Sequence, residues 1–285
     1  MSLARTIRTQ AQERGFIKDV LNESRKLDIA LIAAVPLVLM GVYALPQGTI
    51  EGFVFDTTEP SVVTAYTSHF VHLDWFHLLG NLTVYFPAVG VAYLLCILSD
   101  RRELFLITLV TMLVAFPFAL SGMQLIFPRE RFLFGFSGIN AGFIGLASFA
   151  LTGYLGANIS TRTDERYAPA VLFFVVGLIA LISLPTHAFR FEIGIASLAL
   201  GLVYVAVALY RQGVPGFEEF RAATDRRGYF EMAGAGFGLL VGYPVVAFQD
   251  AVVPQGGVVD VYVHLLGFSL AFIVVFAFVF LVDSL

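Results

Sequence analysis

The stretch Gly135-Phe136-Ser137-Gly138-Ile139-Asn140-Ala141-Gly142 sets one hydroxyl among glycines, where a polar loop bearing Arg129 and Arg131 runs into an apolar helix. A serine flanked by glycines has little steric cover, and at a helix start it lies beside backbone N–H groups that have no intrahelical partner. Those donors, with the positive end of the helix dipole, suit an oxyanion formed when the serine attacks a carbonyl. Gly-x-Ser-Gly also reads as plain helix-packing material, because small residues let helices approach closely. What the rest of the chain brings to Ser137 decides between the two.

Of the 285 residues, 58% are hydrophobic and only 13% are charged, and the mean hydropathy is +0.84. Such values exclude a soluble globule and describe an all-α, polytopic membrane bundle. Cys96 is the single cysteine, so no internal disulfide is expected. Its neighbours Leu94, Leu95, Ile97 and Leu98 mark it as a packing thiol rather than a nucleophile. The polar N-terminus lacks the charged, apolar and small-residue order of a cleaved signal, which leaves targeting to the first membrane helix.

Two regions follow from this pattern. Residues 1–27 read as a cytoplasmic amphipathic arm with six basic residues, Arg5, Arg8, Arg14, Lys18, Arg25 and Lys26, able to lie on anionic lipid. Residues 28–285 read as the transmembrane domain. Its apolar spans run from Ile29 to Leu45, Phe70 to Leu98, Leu104 to Phe127, Gly135 to Leu155, Ala168 to Leu184, Phe191 to Tyr210, Tyr229 to Phe248 and Val258 to Val282, eight in all. With the arm inside, the cytoplasmic side collects 14 of the 17 Lys and Arg residues, leaving only Arg129, Arg131 and Arg190 outside. Both termini are therefore expected in the cytoplasm of a cell-membrane protein. No repeat supports an inverted-repeat transporter.

Polar residues at membrane depth carry the chemistry. On a helix His77 and Asn81 lie one turn apart on one face, whereas His72 points well away from both. Such side chains are expensive in lipid and are either functional or bonded to a neighbouring helix. A zinc site from His69, His72 and His77 is a weaker reading, because the spacings do not put three ligands on one face. In the last span His264 is a lone imidazole followed by Gly267 and Ala271, four apart. The fourth span offers a matching face of Gly138, Ala141, Gly142 and Gly145. If these faces pack, the His264 imidazole can reach the Ser137 hydroxyl.

A His-x4-His-x3-Asn on the second span, Gly-x-Ser-Gly opening the fourth and a His three residues before Gly on the last together resemble the rhomboid family of intramembrane serine proteases. The resemblance covers roughly 29–155 and 258–282. It implies a six-helix core, here with two additional spans, and a Ser137–His264 dyad without an acid. It assigns His77 and Asn81 to the oxyanion hole with the Ser137 backbone N–H, gives His72 a supporting hydrogen-bonding role, and adds Gly135 and Gly138 to the supporting group. Gly142, Gly267 and Ala271 belong to the helix packing beside the site. The sequence departs from the family at several places. Ala141 stands where a tyrosine thought to stack on the histidine is often found, and Ala271 where a second glycine usually follows Gly267. No Trp-Arg pair occurs between Pro46 and Ser68, and three spans rather than one separate the serine and histidine helices. Two extra spans preserve parity, so Ser137 and His264 still begin their helices on the same side.

The expected function is hydrolysis of a peptide bond in or near a transmembrane segment of another membrane protein. No metal, cofactor or nucleic acid is implied, and oligomeric state is not legible. A catalytically inactive relative that binds transmembrane helices is one alternative, given Ala141. A small-solute transporter is another, and would predict an acidic or basic residue well inside a span, where the sequence has none. The loop from Pro128 to Phe136 is expected to dip back toward the membrane, because Phe132, Leu133, Phe134 and Phe136 are too apolar for a fully wet loop.

Overall fold

The computed structural model describes residues 15–126, 132–183, 189–213, 217–247 and 261–282. Most of the arm, Arg129, Arg131 and residues 258–260 lie outside the described residues. Two helices come first. Helix α1 (Phe16–Glu23) has its apolar side on Tyr229, and α2 (Lys26–Tyr43) is the first span. A connection with α3 (Gln47–Glu51), strand β1 (Phe55–Asp56) and α4 (Val62–Thr67) follows. The remaining elements are α5 (Trp75–Ile97), α6 (Arg102–Val114), α7 (Phe116–Ile126), β2 (Phe132–Leu133), α8 (Ser137–Asn158), α9 (Ala168–Ser183), α10 (Arg190–Gln212), α11 (Phe217–Thr224), α12 (Tyr229–Ala247) and α13 (Val261–Val282).

Among the described residues seven helices are long and apolar enough to cross a membrane, and the pair α6–α7, bent by 50°, makes an eighth if it is counted as one broken span. Pro117 accounts for the bend, since it has no N–H to give to the preceding turn and its ring crowds the carbonyl four residues back. The second span begins at Trp75, five residues later than the sequence suggests. Asp74 stops the helix there by accepting from the His77 N–H at 2.8 Å, as an N-cap carboxylate does. The first span starts earlier than expected, at Lys26, and so takes in Asp28. The expected span from Leu104 likewise starts at Arg102. The short strands β1 and β2 pair antiparallel, Phe55 opposite Leu133, which the all-helical expectation omitted.

Helix α8 is the centre of the bundle. Every residue from Gly138 to Thr152 is buried, as expected of a helix apolar on all sides. Its direction against its neighbours fixes the traverse of the chain. Asn140 bonds Asn81 and Asn158 bonds the Leu98 carbonyl, so α5 and α8 run parallel. That requires α6–α7 to return between them as one crossing. Tyr154 donates to the Tyr229 carbonyl at the start of α12, which runs antiparallel to α8. Gly138 meets Val263 and Gly145 meets Phe268 and Ala271, so α8 and α13 run parallel. Three crossings, α9, α10 and α12, lie between them.

The two ends of the bundle differ in chemistry. At the end where α2 begins, Asp28 is buried and accepts from Arg102 Nε at 2.7 Å and Nη2 at 2.5 Å and from the Tyr93 hydroxyl at 3.0 Å. Arg101 pairs there with Glu165 at 2.8 Å. At the other end lie His72, His77, Ser137 and His264.

Candidate functional site

Ser137 opens α8 with Phe136 as the N-cap residue, and Phe136 supplies no side-chain cap. The Ile139 and Asn140 N–H groups donate to the Phe136 carbonyl at 3.1 and 3.0 Å, which leaves the Ser137 and Gly138 N–H groups without intrahelical acceptors beside the hydroxyl. The preceding Gly135 has φ 105°, a conformation that L side chains rarely adopt, and its N–H donates to the Ser68 carbonyl at 2.9 Å. A Cβ at Gly135 would lie 2.6 Å from His77 Cε1 and 2.8 Å from Nε2. Glycine is therefore required twice over, once by the backbone and once by the imidazole lying on it. This close approach brings His77 to the chain two residues before Ser137.

Asn81, one turn below His77, is 5% exposed and donates from Nδ2 to the His77 carbonyl at 3.1 Å. Its backbone carbonyl and Oδ1 accept from Asn140 Nδ2 at 2.9 and 3.2 Å. Asn140 is three residues beyond Ser137 and on its side of α8, so the bonds tie Asn81 to the first turn of the serine helix.

His72 does not point away from this group. Because α5 begins only at Trp75, the chain before it is free to turn back, and the His72 and His77 rings meet edge to face with centroids 4.9 Å apart. His72 is fully buried and neither ring nitrogen makes a well-aligned hydrogen bond among the described residues, although the Phe70 carbonyl lies near. Burial, and then the neighbouring His77, push its pKa down to about 3, so it is neutral at ordinary pH. His69 is held separately, with Nε2 3.0 Å from the Ser121 hydroxyl, which donates in turn to the Ala65 carbonyl.

His264 lies in the first turn of α13, 6% exposed. Its Nδ1 is 2.8 Å from the carbonyl of Ala247, the last residue of α12. A carbonyl only accepts, so Nδ1 carries the proton and, in the neutral ring, Nε2 is the nitrogen that carries none. Ala247 is the last described residue of that helix, so its carbonyl has no intrahelical donor among the described residues. The expected small-residue faces do pack: a Cβ on Gly267 would lie 2.1 Å from the Gly138 carbonyl oxygen, and one on Gly145 would lie 3.1 Å from the Ala271 Cβ. Gly138 also meets Val263, the residue before His264, so the first turns carrying Ser137 and His264 pack together, without a hydrogen bond between the Ser137 hydroxyl and the His264 ring. Gly142 is an exception. It faces Met112, 2.6 Å from a would-be Cβ, and thus α6 rather than α13. Ala141 lies under Gly267, leaving no room for an aromatic ring at that position.

The apolar loop leading to Ser137 is mostly covered. Leu133 and Phe136 are buried and Phe134 packs on His77 at 5.6 Å, while Phe132 is 53% exposed. Two participants escaped the sequence reading. Asn140 carried the same signal as Asn81, a carboxamide within an apolar span, whereas the Ala247 carbonyl is backbone and leaves no trace in the sequence. Fold and site together define a multi-pass helical membrane protein with a serine, three histidines and two carboxamides gathered at one end of its bundle. Compared with protein-family models, curated proteins and solved structures, the chain matches none.

Proposed function

We propose that this chain is an intramembrane serine endopeptidase of the rhomboid type, which cleaves membrane proteins in or near their transmembrane segments. The observation that carries the reading is the His264–Ala247 hydrogen bond at 2.8 Å, because it leaves Nε2 basic in the turn that packs against Ser137. Nε2 removes the hydroxyl proton as Ser137 attacks the scissile carbonyl, and returns it to the leaving amine. The negative oxygen is stabilised by the Ser137 backbone N–H, by His77 and by the Asn81 N–H that the His77 carbonyl does not use. A donor of this kind contributes about 3 kcal/mol in soluble hydrolases. Water then releases the acyl group. The carbonyl of Ala247 supplies the orientation that a stacked tyrosine at position 141 or an acid would otherwise give.

The site sits at the end of the bundle opposite the arginine-rich loops, so substrates are expected to be cut toward the outer face of the cell membrane, with both termini of the enzyme cytoplasmic. The test is covalent: a fluorophosphonate should label the wild-type chain in membranes and leave Ser137→Ala and His264→Ala unlabelled. Equal labelling of Ser137→Ala would end the reading.

A further inference from the structure

Asn140 is 1% exposed, in the buried run of α8, and its Oδ1 has no hydrogen-bond partner among the described residues. For stability alone such a carboxamide is a poor choice, since an apolar side chain would fill the space without burying an unmatched oxygen. Its Nδ2, by contrast, makes two bonds, to the Asn81 backbone carbonyl at 2.9 Å and to Asn81 Oδ1 at 3.2 Å. The backbone carbonyl can only accept, so it fixes which end of the Asn140 amide faces α5. That end then fixes the Asn81 amide, with Oδ1 toward Asn140 and Nδ2 toward the His77 carbonyl at 3.1 Å.

We propose that Asn140 is a positioning residue, which holds the Asn81 carboxamide so that its second N–H, and not its oxygen, is presented to the oxyanion formed at Ser137. The inference rests on the serine-hydrolase reading above and deepens it. Without Asn140, only the His77 carbonyl opposes rotation of the Asn81 amide, and that carbonyl is already shared with the helical N–H four residues on. A rotated amide puts oxygen lone pairs where negative charge develops. Asn140 touches neither substrate nor the reacting atoms; it acts through Asn81.

The experiment is a double-mutant cycle on the full chain in proteoliposomes, reading the rate of Ser137 phosphonylation by a fluorophosphonate alongside the thermal unfolding midpoint. Asn140→Leu and Asn81→Ala are each expected to slow the reaction about tenfold or more, and the double variant should be no slower than Asn81→Ala alone. Asn140→Ala should repeat the result if the leucine variant does not fold. Multiplicative effects in the cycle, or wild-type rates in both Asn140 variants, would overturn the inference while leaving the hydrolase reading intact. Failure of the wild-type chain to label at Ser137 would instead remove the hydrolase reading itself.

Discussion

Of the described glycines near the site Gly267 has the least room, because a Cβ there would lie 2.1 Å from the Gly138 carbonyl oxygen, and a backbone oxygen cannot rotate out of the way. Gly267→Ala must push α13 away from α8 at the turn that joins Ser137 to His264. Overpacking of this kind costs about 1–3 kcal/mol. The expected outcome is a lower unfolding midpoint together with at least a tenfold loss of fluorophosphonate labelling. Gly90→Ala, where a Cβ meets nothing within 4 Å, should change neither. The buried histidines supply a second expectation at this scale. Burial depresses His69 from 6.5 to about 4 and His72 from 6.5 to about 3. At acid pH the unfolded chain then binds more protons than the folded one. Their contribution to stability is complete above about pH 6.5 and is lost as the pH falls toward 4 and 3. The unfolding midpoint in detergent should fall between pH 7 and pH 4.5, and less steeply in His72→Phe; a midpoint independent of pH over that range would contradict it.

At the scale of elements, hydropathy located the spans, because a long run of apolar residues is a property of the segment alone. Its ends were less legible. Trp75 starts α5 because Asp74 caps it, and the same sequence read only for hydropathy extends the helix back to Phe70 and turns His72 the wrong way. Asp28 shows a related limit: the span expected from Ile29 leaves it just outside, but it is buried in α2 because Arg102 and Tyr93, both distant in sequence, reach its carboxylate. Arg102→Leu should therefore lower the unfolding midpoint by leaving a buried carboxylate with only Tyr93, and Asp28→Leu combined with Arg102→Leu should recover much of the loss. An unchanged midpoint in Arg102→Leu would mean the pair does not tie α2 to α6.

For the whole molecule, the relation between Ser137 and His264 is a matter of parity before it is one of distance. Two helices that begin at the same end and pack in parallel need an odd number of crossings between them, and α9, α10 and α12 supply three. That much was legible from the spacing of the spans and the placement of arginines. The contact of Asn140 with Asn81 was not, because it depends on how α5 and α8 are rotated about their axes. The positive-inside bias predicts that the site lies on the outer side of the membrane, and this can be tested without reference to catalysis. Cys96 is fully buried, so the wild-type chain should give little background with a membrane-impermeant maleimide. Glu59 is exposed in the connection after β1, at the end of the bundle that carries Ser137, and Arg221 is exposed in α11, in the arginine-bearing connection at the opposite end. In intact cells Glu59→Cys should label and Arg221→Cys should not, and permeabilisation should make Arg221→Cys reactive. The reverse pattern would place the serine on the cytoplasmic side. Labelling of both positions in intact cells would mean that an even number of crossings separates them, which the parallel packing of α5 and α8 and the antiparallel packing of α8 and α12 do not allow.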